Sequence, residues 1–365
     1  MKRYPKILRA AVETPWAILP AKLQEIMSFL YSKAGYEAAM KLDTGGQETP
    51  AAASGSVRRR QPEGVQMLGP VAVVPIFGTI FPRANLLTEY SGGASAEKLA
   101  ATLSELASDE QVGSIVLDIN SPGGSAAGIP ELAAEIRRVR GIKPVTAVAN
   151  NLAASAAYWI ASQASEIIAP QSASIGSIGV ISMHEDHSEE LAKEGIRVTL
   201  VTAGKYKAEG HPFGPLDQEA RGEMQRRVDV FYRMFVEDVA AGRGLTTEHV
   251  LNSFGQGRLL LAGEAQSVKM VDRVGTMGLA LSRALAQARS TLGESPKALI
   301  QSIRDFEAFL RDEGGFSRTE SKRIASAGFG PQDGSQSPWD EGSDPKVAEA
   351  LRGLAAALSH NQEQA

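Results

Sequence analysis

Between residues 65 and 290 short apolar runs alternate with segments of helical period, and few architectures accept that order. Residues 71–77 and 115–119 are apolar runs of strand length, and the stretch 96–107 between them has helical character. The pattern then predicts a helix over 126–140, a strand over 144–149 and a helix over 153–164. Short strands are expected at 167–169, 178–182 and 197–202, ahead of a long charged amphipathic helix at 217–241. Strands that are apolar throughout need cover on both faces, and intervening helices provide it. The expectation is an α/β layered core with mostly parallel pairing.

The flanks differ in character. Residues 1–42 read as an N-terminal helical extension, since Leu19, Leu23, Ile26, Met27 and Leu30 recur at helical spacing and suit a docking helix. Residues 43–63 are rich in Gly, Pro, Ala, Ser and Arg with no apolar period, and predict a flexible linker before a domain over 64–292. In 293–365, residues 300–311 form a short amphipathic helix that Gly314 and Gly315 break. Ser317 with Glu320 three residues on then starts a second helix to about Ala327. This helical hairpin is too small to hold its own core, and the tail beyond Gly328 reads as mostly disordered.

Composition excludes several chemistries. With no cysteine, disulfides, thiolate zinc sites and cysteine nucleophiles are all absent. A net charge of −4 and a lone basic cluster, Arg58, Arg59 and Arg60, give no pull toward nucleic acid. The basic start resembles a signal-peptide n-region, yet Glu13, Lys22 and Glu25 interrupt the apolar core such a signal needs. The uncharged stretch 144–165 is near the ~20 residues a membrane span requires, but Asn150, Asn151 and Ser155 sit at its centre. A buried strand followed by a buried helix explains it, and no membrane segment is expected. His184 and His187 stand three apart in a loop, which reads as solvated rather than metal-binding, with His187 helping to start the next helix. No metal or organic cofactor is expected.

Three segments carry candidate chemistry. Ser155 lies in Asn150-Asn151-Leu152-Ala153-Ala154-Ser155-Ala156-Ala157-Tyr158-Trp159, and Lys207 in Ala203-Gly204-Lys205-Tyr206-Lys207-Ala208. Upstream, Ser121-Pro122-Gly123-Gly124-Ser125 turns directly after an apolar strand. A serine hydroxyl needs a neighbour to take its proton, and a lysine serves only as the neutral amine, which burial favours. Activity resting on such a lysine rises with pH. Glycines after a strand free backbone N–H groups to point into a cleft, so the N–H groups of Gly124 and Ala156 are assigned as oxyanion donors. On the residues alone a Ser155, His211 and Asp118 triad stands level with a lysine base. Lys205 and Lys207, two apart, face the same side of an extended segment, and geometry does not choose between them.

The central block resembles the serine/lysine signal peptide peptidase family, whose core is the ClpP/crotonase-like fold, and especially its phage prohead-protease branch. The resemblance rests on Asn120-Ser121-Pro122-Gly123-Gly124, Ala153-Ala154-Ser155-Ala156-Ala157-Tyr158, Ile175-Gly176-Ser177-Ile178-Gly179-Val180 and Gly204-Lys205-Tyr206-Lys207-Ala208, in that order. It implies Ser155 as nucleophile, Lys207 as general base favoured over Lys205 and His211, Gly124 as oxyanion donor and Ser177 as the hydroxyl that orients the lysine. The Ala156-Ala157 pair departs from the Gly-Gly of many relatives. The resemblance further implies a homo-oligomeric serine endopeptidase that acts on phage capsid, scaffold or portal proteins in the cytoplasm of the bacterial host, within the assembling prohead, and that also cleaves its own linkers. A host-type signal peptide peptidase and an inactive scaffold or adaptor are the alternatives. The segments 304–311 and 315–318 resemble a hairpin of phage head proteins, which implies a capsid or scaffold contact.

Overall fold

The computed structural model describes residues 14–31, 64–83 and 93–293, with a few positions between 307 and 322. The linker expected at 43–63 and nearly all of the hairpin and tail lie outside the described residues. Strand β1 (Trp16–Ile18) and helix α1 (Pro20–Tyr31) come first. There follow β2 (Gln66–Leu68), β3 (Val71–Phe77), β4 (Ile80–Phe81), β5 (Ala94–Ser95), α2 (Ala96–Ser108), β6 (Ser114–Ser121), β7 (Gly123–Ser125), α3 (Ile129–Arg140), β8 (Val145–Ala154) and α4 (Ala156–Ala161). The remainder is β9 (Glu166–Ala169), β10 (Ser174–Gly176), α5 (Ser188–Lys193), α6 (Gln218–Arg243), α7 (Thr247–Ser253), β11 (Leu259–Leu261), α8 (Ala262–Ser267), β12 (Arg273–Val274) and α9 (Met277–Thr291).

The main sheet runs β11-β10-β8-β6-β3-β2, and β9 joins it by pairing with β8 and β12. Its centre is parallel, while β2 on β3 and β11 on β10 are antiparallel edges. Alternate residues of β6 explain why the run is apolar throughout. Ile115, Leu117 and Ile119 enter the large core with residues of α2, α3 and α4, while Val116 joins Val71, Val73, Val148 and Ile168 under α9. Ser95 caps α2 by accepting from the Lys98 N–H, and Asp217 caps α6 by accepting from the Ala220 N–H. The chain is therefore a mixed α/β fold around a β-sheet core, as the alternation predicts.

Where the structure departs from the sequence reading, partners explain the difference. The helix expected from residue 153 begins at Ala156, because Leu152, Ala153 and Ala154 continue β8 and pair with Ser174, Ile175 and Gly176 of β10. Alanine favours helix, and the available ladder overrides that preference. On its other edge β8 shifts register: Ile119 opposes Ala149 but Asn120 opposes Leu152, and Asn150 and Asn151 bulge out between them. Residues 178–182 form no strand beyond one bridge from Ile181 to Trp16. Residues 197–202, with strand-like composition, are exposed and have no ladder partner among the described residues.

A second, small sheet runs β1-β7-β4-β5. Its N-terminal strand pairs antiparallel with β7, and α1 buries Leu23, Met27 and Leu30 against Trp16, Ile18 and Phe81. The helical period of residues 19–30 thus corresponds to a docked helix. This sheet brings the glycine turn alongside the start of α4.

Candidate active site

Ser155 sits at the junction of β8 and α4 with φ 55 and ψ −120, a left-handed region that a serine enters at a cost of about 1–3 kcal/mol. Surrounding bonds hold it there. Its N–H donates to the Gly176 carbonyl at 2.7 Å, and its own carbonyl accepts from the Trp159 N–H at 2.9 Å. The hydroxyl lies 3.4 Å from the Gly179 carbonyl. Ser155 is fully buried.

The glycine turn lies against this serine. A Cβ placed on Gly123 would meet the Ala154 carbonyl oxygen and the Ser155 Cβ, each at 3.0 Å, and Gly123 has φ 98. Gly124 is tighter still, since a Cβ there would stand 1.8 Å from the Ile80 carbonyl oxygen. Ser121 steadies the turn by donating to the Gly78 carbonyl at 2.6 Å and accepting from the Gly123 N–H at 3.2 Å. Ser177 is adjacent as well, because it follows the Gly176 whose carbonyl holds Ser155. It is buried with φ 53, and its N–H donates to the Arg258 carbonyl at 2.8 Å. Ser155, Gly124, Ala156 and Ser177 therefore converge on one place.

Lys207 makes no bond to this cluster. It is exposed, its N–H bonds the Gly204 carbonyl at 3.2 Å, and no hydrogen bond joins its ammonium to Ser155 or Ser177. Lys205 is engaged differently: its ammonium donates to the Tyr206 hydroxyl at 2.8 Å and to Glu219 at 3.1 Å. Those two bonds raise its pKa and favour the charged form, which opposes a role as base in this arrangement. His211 accepts from the Phe213 N–H at 3.1 Å, and the Asp118 carboxylate accepts from Asn150 at 3.1 Å. Neither bonds Ser155 or the other, so the triad is not assembled. His187 stands 3.3 Å from Glu185 and 3.2 Å from Glu190, and among the described residues no group of three metal-ligating side chains is assembled.

Two supports of the site escape sequence reasoning. The indole N–H of Trp159 donates to Asp238 at 2.8 Å, its ring stacks on Phe235 at 4.4 Å, and Arg137 clamps the same Asp238 at 2.7 Å. Tyr158 donates to the Met270 carbonyl at 2.9 Å, and burial pushes its phenol pKa far up, so it stays a donor. These bonds pin α4, and with it Ser155, to α6 and to the loop before β12. The second missed feature is β1, which lies beside the glycine turn. Asp238 reads in the sequence as one more charge on an amphipathic helix, and nothing local marks its partner 79 residues away.

The family model for peptidase family S49 matches residues 137–290, a span that holds Ser155, Ser177 and Lys207. A capsid assembly protease of Escherichia phage lambda is 39% identical over 194 residues, covering 53% of this chain and 44% of that protein. A head-tail preconnector protein of Enterobacteria phage P21 is 40% identical over 180 residues, covering 49% and 36%. The matches thus span less than half of either phage relative. A putative protease of Synechocystis sp. is 30% identical over 190 residues, covering 52% of this chain and 68% of its own length. Among the described residues no helix is long and apolar enough to cross a membrane. The chain belongs to peptidase family S49.

Proposed function

We propose that the chain is a serine endopeptidase that processes phage capsid-assembly proteins during head maturation. The observation that carries the reading is the strained Ser155, locked at the end of β8 against the Gly123-Gly124 turn. Ser155 attacks the scissile carbonyl, and the developing oxyanion is held by the N–H groups of Gly124 and Ala156, each such donor being worth ~2.7–4 kcal/mol. Lys207 takes the serine proton as the neutral amine, with Ser177 holding that amine in line, and returns the proton to the leaving amine. Water then releases the acyl group from Ser155. A ClpP/crotonase-like core is the architecture this chemistry implies.

Because Lys207 stands exposed in the single chain, the working state requires the segment 196–213 to fold over Ser155. Val198, Leu200, Val201 and Tyr206 are exposed along that segment, an apolar run that a homo-oligomer covers. The substrate class follows from the two phage relatives: capsid or scaffold proteins, and the chain's own linker. Co-expression with the neighbouring capsid protein tests the reading. Wild type and Lys205→Ala are expected to cut it, whereas Ser155→Ala and Lys207→Ala leave it whole. Identical processing by wild type and Ser155→Ala would leave the chain a scaffold or adaptor rather than an enzyme.

A further inference from the structure

Strand β1 runs between two backbone edges, as a bound peptide does. On one side Trp16, Ala17 and Ile18 oppose Ser125, Gly124 and Gly123 in an antiparallel ladder. The ladder extends past both ends: the Ala126 N–H donates to the Pro15 carbonyl, and the Leu19 N–H to the Pro122 carbonyl, both at 2.9 Å. Bonded and non-bonded pairs alternate along such a ladder, so Ala17 and Gly124, midway between, form a bonded pair. The Gly124 N–H is thus directed at the Ala17 carbonyl. On the other side Trp16 and Ile181 exchange both N–H···O bonds at 2.8 Å.

The position relative to the serine makes this more than an edge strand. A Cβ on Gly123 would meet the Ala17 carbonyl oxygen at 2.3 Å and the Ser155 Cβ at 3.0 Å. A carbonyl of the chain itself therefore stands against the turn that faces the nucleophile, on the donor assigned to the oxyanion. Helix α1 holds the strand in place, and its last residue, Tyr31, donates to the Glu185 carboxylate beyond Ile181.

We propose that the groove between residues 123–125 and Ile181 is a binding site for an extended polypeptide, and that β1 fills it as an intramolecular stand-in. Substrate then enters antiparallel to β7, in the register β1 now holds, and only after β1 leaves. The chain as folded here is latent. This inference rests on the proteolytic reading of Ser155, and its test separates the two.

A disulfide can lock the strand. Trp16 and Ser125 form a non-bonded pair, whose Cα separation of about 4.5 Å suits a disulfide, and the chain has no other cysteine to compete. In Trp16→Cys/Ser125→Cys, two readouts are followed: labelling of Ser155 by a fluorophosphonate, and anisotropy of a fluorescent peptide of residues 14–20. The oxidised protein is expected to show neither, and the reduced protein both, with labelling at least tenfold faster. Ala17→Pro, which removes the strand's central N–H without touching Trp16, is expected to label faster than wild type. Equal labelling and equal peptide binding in the two redox forms would overturn the proposal. Peptide binding that follows the redox state with no labelling in either form would keep the groove and discard Ser155 as nucleophile.

Discussion

Replacing Asp118 with asparagine should stabilise the protein, and only above about pH 4. Asp118 lies within β6, 8% exposed, and burial raises its pKa from 3.8 to about 6 against the opposing hydrogen bond from Asn150. A carboxyl with a raised folded-state pKa binds more protons folded than unfolded between those two values, so wild-type stability falls as pH climbs from about 4 to 6 and is flat above. At ~1.4 kcal/mol per unit, the penalty at pH 8 reaches about 3 kcal/mol. Asparagine carries no charge to bury, and its carbonyl still accepts from Asn150. Urea unfolding of wild type and Asp118→Asn at pH 4 and pH 8 measures the difference. The variant should gain about 1–3 kcal/mol at pH 8 and nothing resolvable at pH 4. A gain of the same size at both values would refute the argument, because a packing effect has no reason to follow pH.

Three further outcomes are expected. Ser155→Gly should be more stable than Ser155→Ala by about 0.5–1 kcal/mol, since glycine adopts φ 55 freely; melting curves that coincide would show that Ser155 stores no strain. Gly124→Ala should lose about 1–3 kcal/mol or more as its methyl meets the Ile80 carbonyl, so an unchanged denaturation midpoint would mean the turn has room to move. Trp159→Phe keeps the ring stacked on Phe235 but removes the donor to Asp238, and should cost about 1–2 kcal/mol in chemical denaturation; a neutral result would discount that bond.

The parts of the fold that were legible in the sequence are those whose partners are hydrophobic and generic. Residues 71–77 read as a strand because every side chain there is apolar enough for a site between two layers, and α6 reads as a helix from its amphipathic period. What stayed hidden depends on a particular partner. Ala153 and Ala154 favour helix locally, and pairing with β10 makes them strand. Residues 197–202 have strand composition but find no partner, so composition alone overstates them. At the site, the places of Ser155 at a strand end and of Gly124 in a glycine turn were legible from local sequence, while Ser177 was reached only through the family resemblance. Trp16, Ala17 and Asp238 were not legible, since their roles arise from backbone and side-chain bonds between distant segments.

Helix α6 has a mechanical consequence. Its 26 residues span about 39 Å, and most of its buried residues, Phe235, Val236, Val239 and Ala240, gather in its C-terminal part. Asp238, in that anchored stretch, is the residue that grips Trp159 and, through α4, Ser155. No residue from 221 to 234 is buried, so fraying of that outer arm would leave the bond from Trp159 to Asp238, and the seat of Ser155 it supports, intact.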